Sequence, residues 1–175
     1  MEEHKEMSRT ETKTPTKMLT ITAALVAINL VLNQFTLAFG TLLEIGFAFL
    51  PIGVLAYLYG SVNAGIASVV ADIIGFVLRP AGFFFPGFTF NSLLIGLLFG
   101  WFLYKKPVTL SRIALANLVV TIVITLILTP IWLNIMFGSP IFAGPRMVKA
   151  IVLYPIEVGL LYALLKSISR VDLKL

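Results

Sequence analysis

Apolar residues follow one another almost without pause from Leu19 to Leu165, which limits the chain to folds that hide their surface in lipid. A transmembrane helix needs roughly 20 predominantly apolar residues to cross about 30 Å of hydrocarbon. A chain of 175 residues then has room for about six crossings and none for a separate soluble catalytic domain. The composition agrees, with only 12% of residues charged where a soluble domain has roughly 25%. The pattern predicts an all-α membrane protein with six transmembrane helices over residues 18–39, 45–59, 64–78, 88–104, 113–137 and 146–167. A polar tail, 1–17, precedes them and a short tail, 168–175, follows. The short second and third segments are also compatible with one hairpin that does not cross fully. Pro51, Pro130 and Pro155 fall inside these helices, where neighbouring helices can satisfy the freed backbone groups.

Charge sets the orientation. Short cytoplasmic loops collect Lys and Arg. With six crossings and both termini in the cytoplasm, the inner side holds Lys5, Arg9, Lys13, Lys17, Lys105, Lys106, Arg112, Lys166, Arg170 and Lys174, ten of the 13 basic residues. Arg79, Arg146 and Lys149 are left at the outer ends of helices. The tail also carries Glu2, Glu3, Glu6 and Glu11, unlike the short basic start of a cleavable signal, so the first helix reads as a retained anchor. Without cysteine, disulfide and thiolate chemistry are excluded. The lone His4 sits in the tail, which argues against a metal site. No basic stripe with interleaved aromatics points to nucleic acid.

Small residues four apart let helices approach closely in lipid. Ala23 and Ala27 do this in the first helix, Ala67, Ala71 and Gly75 in the third, and Gly96 and Gly100 in the fourth. Internal packing is the ordinary explanation. Charges inside membrane helices are rarer and usually face a cavity or a partner. Asp72 and Glu157 are such residues, and Glu44 lies at the outer start of the second helix. Asp72 with Arg79, or Glu157 with Lys149, is equally compatible with a structural ion pair. The outer connection concentrates Phe83, Phe84, Phe85, Phe88 and Phe90 within eight residues, broken by Pro86 and Gly87. An interfacial belt accounts for single aromatics, but this density beside cations also suits a flat anionic ligand. Phe84, Phe85 and Phe88 would stack on it. Arg79, Arg146 and Lys149 would bind its carboxylates. Trp132 and Tyr154 are candidates for the same space, and Asp72 and Asn91 for hydrogen bonds to a ring edge. P-loop, G-x-S-x-G and H-E-x-x-H motifs are absent, so powered transport needs an energy source on another chain.

Four stretches resemble the substrate-binding S components of energy-coupling factor vitamin transporters. Phe47-Ala-Phe-Leu-Pro-Ile-Gly-Val-Leu-Ala-Tyr-Leu-Tyr-Gly60 is similar to that family's second helix and Ala71-Asp-Ile-Ile-Gly75 to its third. Phe85-Pro-Gly-Phe-Thr89, followed by Gly96 and Gly100, is similar to the start of its fourth. Arg146-Met-Val-Lys149 with Pro155 is similar to its sixth. The resemblance spans residues 18–165 and is greatest to the folate-specific branch. It implies an S-component bundle in the bacterial plasma membrane that binds folate from outside, without a cofactor. It also implies docking through Ala23 and Ala27 onto a transmembrane coupling protein that works with two ATPase subunits. The chain departs from that pattern at Glu44, where a basic residue is expected. The same fold carrying pantothenate or a pyrimidine remains an alternative. So do an intramembrane enzyme using Asp72 and Glu157 and a self-sufficient channel or carrier, although no inverted repeat supports the last.

Overall fold

The computed structural model describes residues 2–34, 36–39, 43–80, 82–138 and 144–170, with side chains at 16–34, 46–80, 82–138 and 147–170. Helix α1, Glu2–Gln34, begins within the polar tail and ends five residues before the predicted 39. The chain instead forms strands β1, Thr36–Phe39, and β2, Leu43–Gly46, paired antiparallel with Thr36 opposite Gly46 and Phe39 opposite Leu43. Thr36, Phe39 and Ile45 are β-branched or aromatic residues that favour a pleated strand over another helical turn.

The predicted second helix, 45–59, starts four residues late, because 45 and 46 belong to β2; from Phe49 on, it and the third form one element, α2, Phe49–Leu78, which departs from helical geometry at Gly60. There φ is +85° and ψ −177°, a conformation that L side chains rarely adopt. One residue thus makes the reversal assigned to 60–63. Ile52 and Ser68, each eight residues from Gly60, line the same cavity, so the two legs of α2 fold back on each other.

Helix α3, Pro86–Leu103, starts two residues before the predicted 88, because proline fits the first helical turn. Helix α4, Leu110–Val120, passes through a π-helical stretch, Thr121–Leu128, into α5, Thr129–Phe137. Pro130 lacks the N–H that would continue an α ladder, and the widened turns lie immediately before it. Gly138 ends α5 in the left-handed region, with φ +63°. Helix α6, Gly144–Arg170, carries Pro155 without interruption. Among the described residues, five helical segments are long and apolar enough to cross a membrane: Thr16–Gln34, Phe49–Leu78, Pro86–Leu103, Leu110–Phe137 and Met147–Arg170.

Leu55, Phe99, Ile113, Leu161 and Leu165 are almost wholly buried at the centre, while Val62, Ile66, Val77 and Ile151 face outward, as a lipid solvent permits. The tightest joint is between α2 and α3. A Cβ at Gly96 would lie 2.5 Å from the Ala64 backbone, and one at Gly100 would lie 2.3 Å from Ser61. Ala67 and Ala71 are buried, and Gly75 faces Leu30 and Asn33 of α1. Ala23 and Ala27, by contrast, are exposed.

Gly100→Ala is therefore expected to destabilise the protein by about 1–3 kcal/mol, because the added methyl meets backbone rather than a movable side chain. Thermal unfolding in detergent reads this directly. An unchanged midpoint would contradict the close approach of α2 and α3.

Candidate ligand-binding cleft

Asp72 sits on the second leg of α2, where the small neighbours Ala71 and Gly75 leave room for α1. Two hydroxyls from one face of α3 hold its carboxylate: Thr89 Oγ1 donates to Oδ2 at 2.7 Å, and Ser92 Oγ lies 3.2 Å from Oδ1. The three-residue spacing of Thr89 and Ser92 puts both on that face. Each carboxylate oxygen retains a further lone pair.

Two hollows meet at this carboxylate, because Asn33 and Asp72 line both. One, of about 230 Å³, adds Asn29, Ser68 and Ser92 as polar groups, with Ile52 and Ile95 as apolar wall. The other, of about 270 Å³, adds Gln34, Phe76 and Arg79. Asn29 is buried and its amide donates to the Ala48 carbonyl at the start of α2. Phe84 packs edge-on against Phe76, with ring centroids 5.3 Å apart. The cleft thus runs from an exposed guanidinium beside two phenyl rings to a carboxylate among hydroxyls and amides. It can accept N–H donors at Asp72, pair an anion at Arg79 and offer ring faces between them.

A second constellation lies between α3 and α5. Asn91, only 5% exposed, accepts from Trp132 Nε1 at 3.0 Å and donates to Thr129 Oγ1 at 3.2 Å. The Phe85 ring lies 5.7 Å from Trp132 and 5.9 Å from Phe88. Gly87 is needed here, since a Cβ would fall 2.3 Å from Phe85 and 2.8 Å from Trp132.

The residues singled out from the sequence are therefore divided. Asp72 and Arg79 line the cleft, Phe84 packs behind its Phe76 wall, and Phe85, Phe88, Asn91 and Trp132 belong to the α3–α5 cluster. Tyr154 is turned elsewhere, donating to the Ala114 carbonyl of α4 at 2.9 Å. Lys149 is half-buried on α6, two helical turns before Glu157 of the same helix. The side chains of Arg146 and Glu44 lie outside the described residues. The sequence points to no role for Asn29, Asn33, Ser68 and Ser92, and marks Thr89 only as the end of the Phe85-Pro-Gly-Phe-Thr89 stretch. A spacing signal was nevertheless present: Asn29 and Asn33, and likewise Ser68 and Asp72, are four apart in otherwise apolar helices, so each pair shares a face. Among the described residues no group of three His, Cys, Asp or Glu side chains could hold a metal ion.

Residues 17–170 match the family described as ECF transporter, substrate-specific component. The folate transporter FolT of Clostridium novyi (strain NT) is 29% identical over 153 residues, covering 86% of this chain and 89% of that protein. The folate transporter FolT of Leuconostoc mesenteroides is 30% identical over 164 residues, covering 89% and 88% respectively. Among solved structures, a crystal structure of FolT bound with folic acid is similar, with a TM-score of 0.77 and 39% sequence identity. That match covers 85% of this chain and 91% of the other.

Replacing Asn91 with Ala would leave the buried Trp132 N–H without its acceptor, at a cost of about 1–3 kcal/mol. Thermal unfolding, together with Trp132 emission in a Trp101→Phe background, measures this. If both stay as in the parent protein, the Asn91–Trp132 hydrogen bond is not part of the fold.

Proposed function

Because this chain belongs to the substrate-specific component family of ECF transporters, we propose that it captures folate for an ATP-driven importer. It is a multi-pass plasma-membrane protein and a substrate-binding transport subunit rather than an enzyme, so the acid–base reading of Asp72 and Glu157 is set aside. The observation that carries the folate reading is the Asp72 cleft, considered with the folate transporters that resemble the chain. Folate joins an aminopyrimidinone edge, which offers adjacent N–H donors, to a glutamate with carboxylates. Asp72 would accept from the ring edge, with its orientation set by Thr89 and Ser92. Phe84 would lie against ring surface. Arg79 would meet a carboxylate at the mouth, with Arg146 and Lys149 from α6. Phe85, Phe88, Asn91 and Trp132 would form the wall between α3 and α5, and Tyr154 would support α6 against α4.

In this reading the legs of α2 count as separate crossings, making six, and both termini face the cytoplasm. The ten basic residues on one side support that orientation. The polar residues 1–17 and the tail 168–175 would then lie inside. The exposed positions of Ala23 and Ala27 support the docking of α1 on a transmembrane coupling protein, which would work with two ATPase subunits.

Asp72→Asn and Arg146→Ala are each expected to weaken folate binding by about 1.5–3 kcal/mol, the worth of a charge-assisted hydrogen bond. Calorimetric titration of the purified variants tests both. A variant that binds as tightly as the parent removes that residue from the site. Ala27→Trp is expected to abolish co-purification with the coupling module while leaving folate affinity unchanged. Retained co-purification would move the docking face away from α1.

A further inference from the structure

The segment from the end of α3 to the first turn of α4 carries Lys105, Lys106 and Arg112 and no acidic residue. We propose that it binds the phosphate of an anionic phospholipid, with Arg112 as the main ligand and the two lysines beside it. Nη1 of Arg112 is buried and has no hydrogen-bond acceptor among the described residues. Ile113 and Ala116, the next residue and the one a turn further on, are fully buried, and Arg112 itself is half-buried at the edge of that packed face. A guanidinium N–H in such surroundings needs an acceptor, and the two free oxygens of a phosphodiester fit the planar fork of arginine.

The neighbours limit what that acceptor can be. The Trp101 carbonyl already accepts from Lys106 Nζ at 2.7 Å. Of the described acidic side chains, Asp72 is held by Thr89 and Ser92, and Glu157 makes no hydrogen bond to Arg112 Nη1. Lys105 Nζ stands 5.2 Å from the Tyr104 ring centroid, so its charge stays beside this turn. The apolar half of a lipid also has a seat. Trp101 is 66% exposed, and Leu110, Leu115 and Leu118 are exposed along α4. An indole in that position marks headgroup depth. Cations above an outward apolar strip match a headgroup joined to acyl chains better than they match a soluble anion or an acidic protein surface.

Native mass spectrometry of the purified full chain tests this, using phosphatidylglycerol and phosphatidylcholine with identical acyl chains. The parent protein is expected to retain phosphatidylglycerol preferentially. Arg112→Gln, which removes a charge-assisted hydrogen bond, should reduce that retention at least about tenfold, and the double variant Lys105→Gln/Lys106→Gln, which removes charge near the surface, about fivefold per cation. Phosphatidylcholine retention should not change. Folate affinity confirms that each variant is folded, and the two lysines are exposed, so the double variant remains informative if Arg112→Gln does not fold. Equal retention of the two lipids by the parent protein would overturn the proposal, as would an unchanged preference in folded variants. Complete displacement of phosphatidylglycerol by millimolar inorganic phosphate would also overturn it, by assigning the site to a soluble anion.

Discussion

The contact that governs the rest is the close approach of α2 and α3 through Gly96 and Gly100 over Ala64 and Ser61. A methyl at either glycine would fall within 2.5 Å of backbone atoms. In lipid, apolar burial does not draw helices together, because acyl chains are as apolar as leucine; van der Waals packing and interhelical hydrogen bonds take its place. Smooth, small-residue faces supply the first. They also fix the register in which Thr89 and Ser92 come opposite Asp72, which supplies the second. A carboxylate at this depth is costly unless hydrogen-bonded, so the packing that joins the helices also makes the polar centre of the cleft tenable.

From that joint the remaining elements find their roles. The reversal at Gly60 lets α2 present two legs to the bundle, and the longer leg carries Asp72 and is capped by Arg79. Helix α1 closes the other side of the cleft with Asn29 and Asn33, while Ala23 and Ala27 remain exposed. One face of this helix therefore lines the cleft, and another is exposed. On the opposite side of α3, Asn91 ties α5 in place through Thr129 and Trp132. Family membership and the likeness to folate transporters give this arrangement a role in vitamin uptake. In the proposed binding mode, Asp72 would take the aminopyrimidinone edge and Arg79 a carboxylate at the other end.

Much of the architecture was legible from hydropathy and punctuation. Apolar runs located the membrane helices because lipid demands long unbroken segments, and the Gly60–Asn63 turn was marked by its glycine. The β-hairpin was not legible, since four-residue strands flanking Gly40 carry too little pattern to compete with an apolar helix reading. The site was legible in chemistry but not in grouping. Asp72, Arg79 and the phenylalanines stood out as residue types, yet nothing local says that Phe84 packs toward Phe76 while Phe85 packs toward Trp132. That split depends on where α3 begins. Thr89 is legible only as part of a resemblance stretch and Ser92 not at all, because hydroxyls are ordinary in membrane helices; only the register of α3 against α2 sets both against Asp72. The four-residue spacing of Asn29 and Asn33 was readable and was passed over in favour of charged residues.

The central claim is capture of folate by this chain alone, before any partner acts. Equilibrium binding of tritiated folic acid to the detergent-purified protein, with pantothenate and thiamine as competitors, addresses it most directly. The account predicts saturable binding of one folate per chain that unlabelled folate displaces and the other two vitamins do not. Absence of saturable folate binding by folded protein, or its displacement by pantothenate or thiamine, would contradict it.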